Sequence, residues 1–129
     1  MSVVSRTRYA LLTFFILCVL STHASSLSKE NTQQITARSG NIITITLKSN
    51  PTTGYSWKVS KISDGKIVKA VSSRYEADRP ALSGSGGKEL WSFKALKPGS
   101  ARIEMAYQRP WEKGVPPVAT KTFNIRVRP

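Results

Sequence analysis

From Gln33 onward, apolar and polar side chains alternate with a period of two, in short runs separated by turn-forming residues. That period belongs to half-buried strands, because successive side chains on a strand point to opposite faces. Gln33 to Arg38 and Asn41 to Ser49 form two such runs on either side of Ser39-Gly40, with Ile43, Ile45 and Leu47 on one face of the second. Tyr55, Trp57 and Val59 alternate with Ser56, Lys58 and Ser60. The turn Ser63-Asp64-Gly65 and a run from Lys66 to Ser72 follow, and the Asp-Gly pair predicts a hairpin at that point. Lys88 to Leu96 and Ala101 to Tyr107 flank Lys97-Pro98-Gly99-Ser100, where Pro presets φ and Gly takes the left-handed position. In the first of these runs Leu90 and Trp91 compete for the inward face, while in the second Ala101, Ile103, Met105 and Tyr107 share one face. Thr120 to Arg128 closes the series with Phe123, Ile125 and Val127 inward. Seven short strands without a helical period predict an all-β, immunoglobulin-like antiparallel sandwich or barrel.

The connections alternate in kind. Tight turns follow strands one, three and five, whereas longer Pro- and Gly-rich loops follow strands two, four and six: Asn50 to Gly54, Arg74 to Gly87, and Gln108 to Ala119. Antiparallel strands reverse direction at each connection, so all three long loops are expected at one pole, where sandwich folds present binding surfaces.

The chain opens differently. Arg6 and Arg8 precede an apolar run from Ala10 to Leu20, and Ser21-Thr22-His23-Ala24 leads into polar sequence. This reads as a signal peptide, residues 1–24, cleaved after Ala24 to leave one domain of residues 25–129 and an exported protein, secreted or periplasmic. The run is shorter than the roughly 20 residues a membrane-spanning helix needs.

Cleavage removes the only cysteine, Cys18, and the only histidine, His23. A mature chain without either has no thiol nucleophile, Ser-His pair, redox dithiol or Cys/His zinc site, and no metal or cofactor is implied. The leader also carries two of the twenty basic residues and none of the seven acids, so the mature domain keeps a net charge of +11. Such a charge favours an acidic partner and speeds encounter with it without naming it.

The three loops contain the distinctive residues: Asn50-Pro51-Thr52-Thr53-Gly54-Tyr55, then Gly84-Ser85-Gly86-Gly87, then Arg109-Pro110-Trp111. Pro51 restricts φ and Gly54 permits a sharp exit, so the threonines between them sit on a tip with little ordering entropy left to lose. Glycines without Cβ atoms let one backbone approach another. Arg and Trp combine planar surface with hydrogen-bond donors and dominate interface energies. Tyr55, at the start of a strand, reads as a supporting core residue, as do Trp57 and Trp91.

The three motifs, in this order and on alternate loops, resemble the chagasin-type inhibitors of papain-family cysteine peptidases across essentially the whole mature chain. The resemblance implies that Thr52 and Thr53 approach the catalytic Cys and His of the peptidase. It further implies that Gly84 to Gly87 offer main chain on the unprimed side, and that Arg109 and Trp111 anchor on the primed side. The partner is then a cysteine peptidase, with neither nucleic acid nor membrane involved after cleavage, the protein is a monomer, and it is not an enzyme. Two other readings compete. A basic module for nucleic acid or an anionic polymer draws on the charge, although the lysines are spread along the chain. A glycosidase would use Glu76 and Asp78, which in an Arg74 to Arg79 stretch read better as surface ion-pair partners.

Overall fold

A computed structural model describes residues 31–129, so the expected leader lies outside the described residues. Seven strands follow one another: β1 Thr32–Arg38, β2 Ile42–Ser49, β3 Ser56–Ile62, β4 Val68–Ala77, β5 Gly87–Ala95, β6 Gly99–Gln108 and β7 Ala119–Arg128. A single 3₁₀ turn, Pro51–Thr53, interrupts the β2–β3 connection. The strands form a four-stranded sheet ordered β1-β7-β6-β3 and a three-stranded sheet ordered β2-β5-β4. The period-two pattern therefore produced the expected all-β sandwich. All pairs are antiparallel except β1 with β7, which run parallel from Thr32 opposite Thr122 to Arg38 opposite Arg128.

The core lies between the sheets. Ile43, Ile45 and Leu47 of β2, with Phe93 and Ala95 of β5, meet Ile103 and Met105 of β6 and Phe123, Ile125 and Val127 of β7. Phe93, Ile103 and Met105 are fully buried. Each large side chain removed from water in this way contributes roughly 1.5–3 kcal/mol. Trp91 takes the inward face and packs on this cluster, leaving Leu90 outward.

The hairpin expected at Asp64-Gly65 is not one. Strand β3 pairs with β6 and β4 with β5, so the segment between them crosses from one sheet to the other. Gly65 is not among the glycines with positive φ. The turn is held by Asp64 instead, whose carboxylate accepts from the Lys66 amide at 2.9 Å and whose carbonyl accepts from the Ile67 and Val68 amides. This winding delays β4 to Val68. The strand then runs past the expected end at Ser72 through Ala77, with Arg74 opposite Leu90 and Ala77 opposite Gly87. The fourth connection is accordingly residues 78–86, shorter than the Arg74 to Gly87 loop expected from composition, and Gly87 is a strand residue. A bulge at Ser60, between Val59 and Lys61, and another at Val71 adjust register within β3 and β4.

One polar group is buried among these apolar side chains. The Glu89 carboxylate, on a residue 8% exposed, accepts from Ser49 Oγ at 2.6 Å, from the Trp57 amide at 3.2 Å and from Trp91 Nε1 at 3.2 Å. Ser49 ends β2 in one sheet and Trp57 lies in β3 of the other, so Glu89 of β5 ties the sheets together beneath their first long connection. Glu89→Ala would strand several buried donors, each costing about 1–3 kcal/mol, and is expected to destabilise the domain by about 3 kcal/mol or more in urea unfolding. Glu89→Gln, which keeps the side-chain volume and one acceptor oxygen, should lose clearly less; equal losses for both variants would mean that both carboxylate oxygens are required as acceptors.

Candidate functional site

The connections after β2, β4 and β6 meet at one pole. In the first, Asn50 caps the 3₁₀ turn: its Oδ1 accepts from the Thr52 amide at 3.3 Å and from Thr52 Oγ1 at 2.6 Å. Thr53 Oγ1 donates to the Asn50 carbonyl at 2.6 Å, and the Gly54 amide donates to the Pro51 carbonyl at 2.9 Å. Gly54 leaves the turn at φ +82°, a left-handed conformation that favours glycine. The tip Thr52-Thr53 is thus braced by its own side chains while remaining exposed.

Asn50 also joins the second loop, donating from Nδ2 to the Gly84 carbonyl at 3.4 Å. Gly84 and Gly86 both have φ near +79°, and the Gly86 carbonyl accepts from the Asp78 amide at 3.1 Å, closing the loop's base. Gly87 plays a different part. A Cβ there would collide with the Glu76 carbonyl and the Tyr75 ring, so the glycine admits a close strand crossing rather than offering a free edge. Ser85 bonds only within the loop, to the Arg79 and Gly86 carbonyls.

The third loop is fastened to the first by Arg109. Its Nε donates to the Thr53 carbonyl at 3.1 Å, its Nη1 pairs with Glu112 at 3.1 Å, and its guanidinium lies 4.5 Å from the centre of the Tyr55 ring. Tyr55 stands 5.5 Å from Tyr107, which stacks on Trp57 at 5.0 Å, so an aromatic column runs from the core to the loops. Tyr55, expected to begin the strand as a core residue, instead precedes β3 and stands between Tyr107 and Arg109, outside the core cluster. Trp111, following Pro110, lays its six-membered ring across Gly54 and keeps 65% of its surface open, so it does not cap the sandwich.

The structure therefore brings together Asn50 to Tyr55, Gly84 to Gly86 and Arg109 to Trp111, and assigns Gly87 to the strand beneath them. Tyr107, expected only as an inward strand residue, also serves the site: its hydroxyl accepts from the Asn50 amide at 3.0 Å and holds the first loop on the column. Sequence reading passed over Glu112, the partner of Arg109, and over Glu89. An acid on the same face as Trp91 and Phe93 was the available signal for Glu89. Glu76, offered for glycosidase chemistry, is bound at the surface by Arg74 at 2.9 Å and Lys88 at 3.7 Å. No cluster of metal-ligating side chains occurs among the described residues.

Fold and site together define a β-sandwich module that displays three loops at one end, the second and third each bonded to the first. The chain belongs to the chagasin family of peptidase inhibitors, I42, whose family model matches residues 36–127. It is 30% identical over 118 residues to Amoebiasin-2 of Entamoeba histolytica, covering 89% of this chain and 96% of that protein. Over 84 residues it is 31% identical to Chagasin of Trypanosoma cruzi, with 63% of this chain and 76% of the relative aligned. The crystal structure of the cysteine protease inhibitor EhICP2 from Entamoeba histolytica superposes with a TM-score of 0.65 at 28% identity, covering 78% of this chain and 91% of that one. The solution structure of Amebosin gives 0.60 at 33% identity, covering 78% and 93%. The family is one of peptidase inhibitors, EhICP2 is a cysteine protease inhibitor, and the chain is not an enzyme.

Because Trp111 covers Gly54, Gly54→Ala combines an unfavourable φ with a collision against the indole ring. The variant is expected to lose about 1–2 kcal/mol of stability and to shift the Trp111 indole N–H resonance. An unmoved indole resonance would contradict the packing of the two loops.

Proposed function

We propose that this protein is an exported, reversible inhibitor of papain-like cysteine peptidases that works as a monomer and fills the active-site cleft with its three loops. The observation that carries this reading is the Arg109 bond to the Thr53 carbonyl, which makes the first and third loops one rigid wedge. Thr52 and Thr53 lead that wedge and would sit against the catalytic Cys and His. A tip already fixed by Pro51, Asn50 and Gly54 gives up little entropy on entering a cleft. The 3₁₀ wind turns its peptide bonds away from the extended conformation of a bound substrate strand, which accounts for occupancy without cleavage. Gly84, Ser85 and Gly86 would line the unprimed side through main-chain contacts, and Trp111 the primed side.

Within this reading Arg109 and Trp111 divide their tasks. Arg109 spends its Nε, one Nη and its planar face on Thr53, Glu112 and Tyr55, so it positions the loops. Trp111, with most of its ring open, is the anchor. Export rests on the basic and apolar leader of residues 1–24 and the small residues before Ser25.

Titration against active papain, followed with a fluorogenic peptide, is expected to show tight, reversible inhibition with the added protein recovered intact. Absence of inhibition at micromolar concentration would end the proposal. Trp111→Ala should weaken binding by about 2 kcal/mol or more, as loss of a central anchor does; unaltered inhibition would remove Trp111 from the interface. Thr53→Arg should weaken inhibition sharply while the domain stays folded, its thermal midpoint lowered by several degrees through the loss of exposed side-chain hydrogen bonds worth about 1 kcal/mol each. Collapse of the fold in that variant would make the threonine structural.

A further inference from the structure

The far end of the sandwich from the loops carries a feature the inhibitory reading does not use. Four of the seven arginines between residues 31 and 129, namely Arg38, Arg102, Arg126 and Arg128, lie exposed on the outer face of the four-stranded sheet. Arg38 and Arg128 are direct neighbours across the β1–β7 pair. Arg102 faces Asn124, two residues from Arg126 on the same strand face. Like charges opposed across strands cost stability. None of the four takes part in an ion pair among the described residues, whereas the pairs that do occur, Arg74 and Lys88 with Glu76 and Arg109 with Glu112, all lie toward the loops.

Two of these arginines, Arg102 and Arg126, border an open groove of about 530 Å³ whose wall alternates cation with amide or hydroxyl, Lys61, Arg102 and Arg126 standing beside Gln34, Ser100 and Asn124. The single acid in the groove, Glu104, faces Lys61 across the β3–β6 pair, so the arginines are left uncompensated. Arg102 is oriented by donating from Nε to Asn124 Oδ1 at 3.3 Å, which leaves its terminal nitrogens available. A planar guanidinium matches carboxylate and sulfate groups in two-point contacts, and amides and hydroxyls match sugar hydroxyls. No aromatic side chain lines this strip to stack unpaired bases, and its apolar members, Ala101 and Ile125, are buried in the core rather than presented to a bilayer.

We propose that the groove bounded by Arg102 and Arg126, extended along β7 to Arg128 and Arg38, is a binding site for an acidic polysaccharide. The site faces away from the three loops, so a protein held on such a polymer keeps its inhibitory pole turned outward. This restores, for one face and one ligand class, a role for the charge that the dispersed lysines of the sequence did not suggest. It is independent of the peptidase reading, because polymer binding is measured with no peptidase present.

The test is titration of the protein with heparin and with polygalacturonate at about 0.15 M salt, using Arg102→Gln/Arg126→Gln beside Lys48→Gln/Lys58→Gln, a variant with the same change in charge nearer the loops. The arginine variant is expected to bind at least one polymer about tenfold more weakly, and the lysine variant to stay close to the original. Equal losses would reduce the effect to net charge, and no binding by the unaltered protein would remove the site. Tighter binding to a DNA duplex or to anionic phospholipid vesicles would overturn the choice of ligand. Both variants should melt at or above the original temperature, because each removes like-charge repulsion. Papain inhibition by the polymer-bound protein should match that by the free protein; its loss would place the polymer over the loops instead.

Discussion

The architecture depends on one buried carboxylate. Glu89 sits in β5 with its oxygens turned into the sandwich, where Ser49, Trp57 and Trp91 donate to it from strands of both sheets. Burying such a group without partners would cost several kcal/mol, and bonds to a charged acceptor return about 1.5–3 kcal/mol each. Two of the donors are the residues at which β2 ends and β3 begins its inward course. The connection between them is the one long loop that must pass from sheet to sheet, and it departs and returns over a fixed point. Apolar packing alone, being non-directional, would hold the sheets together without fixing that point.

From there the order propagates outward by contact. Trp57 stacks on Tyr107, Tyr107 on Tyr55, and Tyr55 receives Arg109, which reaches back to Thr53. Asn50 fastens the same tip to Tyr107 on one side and to Gly84 on the other. The loops that face outward are thereby coupled to the core through side chains rather than through the chain ends alone. Loops fixed in this way concentrate binding energy into contact instead of ordering.

Much of this was legible in the sequence, for identifiable reasons. A period of two with a β-branched or aromatic residue at every other place, as in Ile43-Thr44-Ile45-Thr46-Leu47, has no stable helical alternative, and those strands occur where they were expected. The three loop motifs were legible because Pro, Gly, Arg and Trp are uncommon together outside turns and interfaces. Pairing was less so. Asp64-Gly65 signals a reversal of the chain, but a local turn cannot say whether the next strand joins its own sheet or the facing one; that choice is made by the hydrophobic faces of β3 and β4 meeting different partners. Arg74 to Ala77, polar enough to read as loop, is a strand because β5 offers it a complete ladder of partners. The bonding of Glu89 and of the Tyr107 hydroxyl was not legible because most of their donors, Ser49 and Trp57 for the one and Asn50 for the other, lie 32 to 57 residues away in sequence.

The placement of charge now has a physical logic that composition could not supply. Near the loops three cations are engaged, Arg109 by Glu112 and Arg74 and Lys88 by Glu76, while Lys48, Lys58, Arg79, Lys113 and Lys121 have no ion pair among the described residues. Surface pairs of this kind contribute little to stability, yet they fix side chains and reduce the local field. In the proposed inhibitory reading the open face of Trp111 supplies contact surface at a pole that keeps an excess of positive charge. At the other end the arginines repel one another without compensation, a stability cost that packing does not require, since arginine at an outward strand position can be exchanged for any polar residue without touching the core. The two ends of the sandwich thus differ, with loops braced by side-chain bonds at one and unpaired arginines gathered on one sheet face at the other. The β6 strand that links them, from Arg102 to Tyr107, contributes to both through alternate faces of the same sheet.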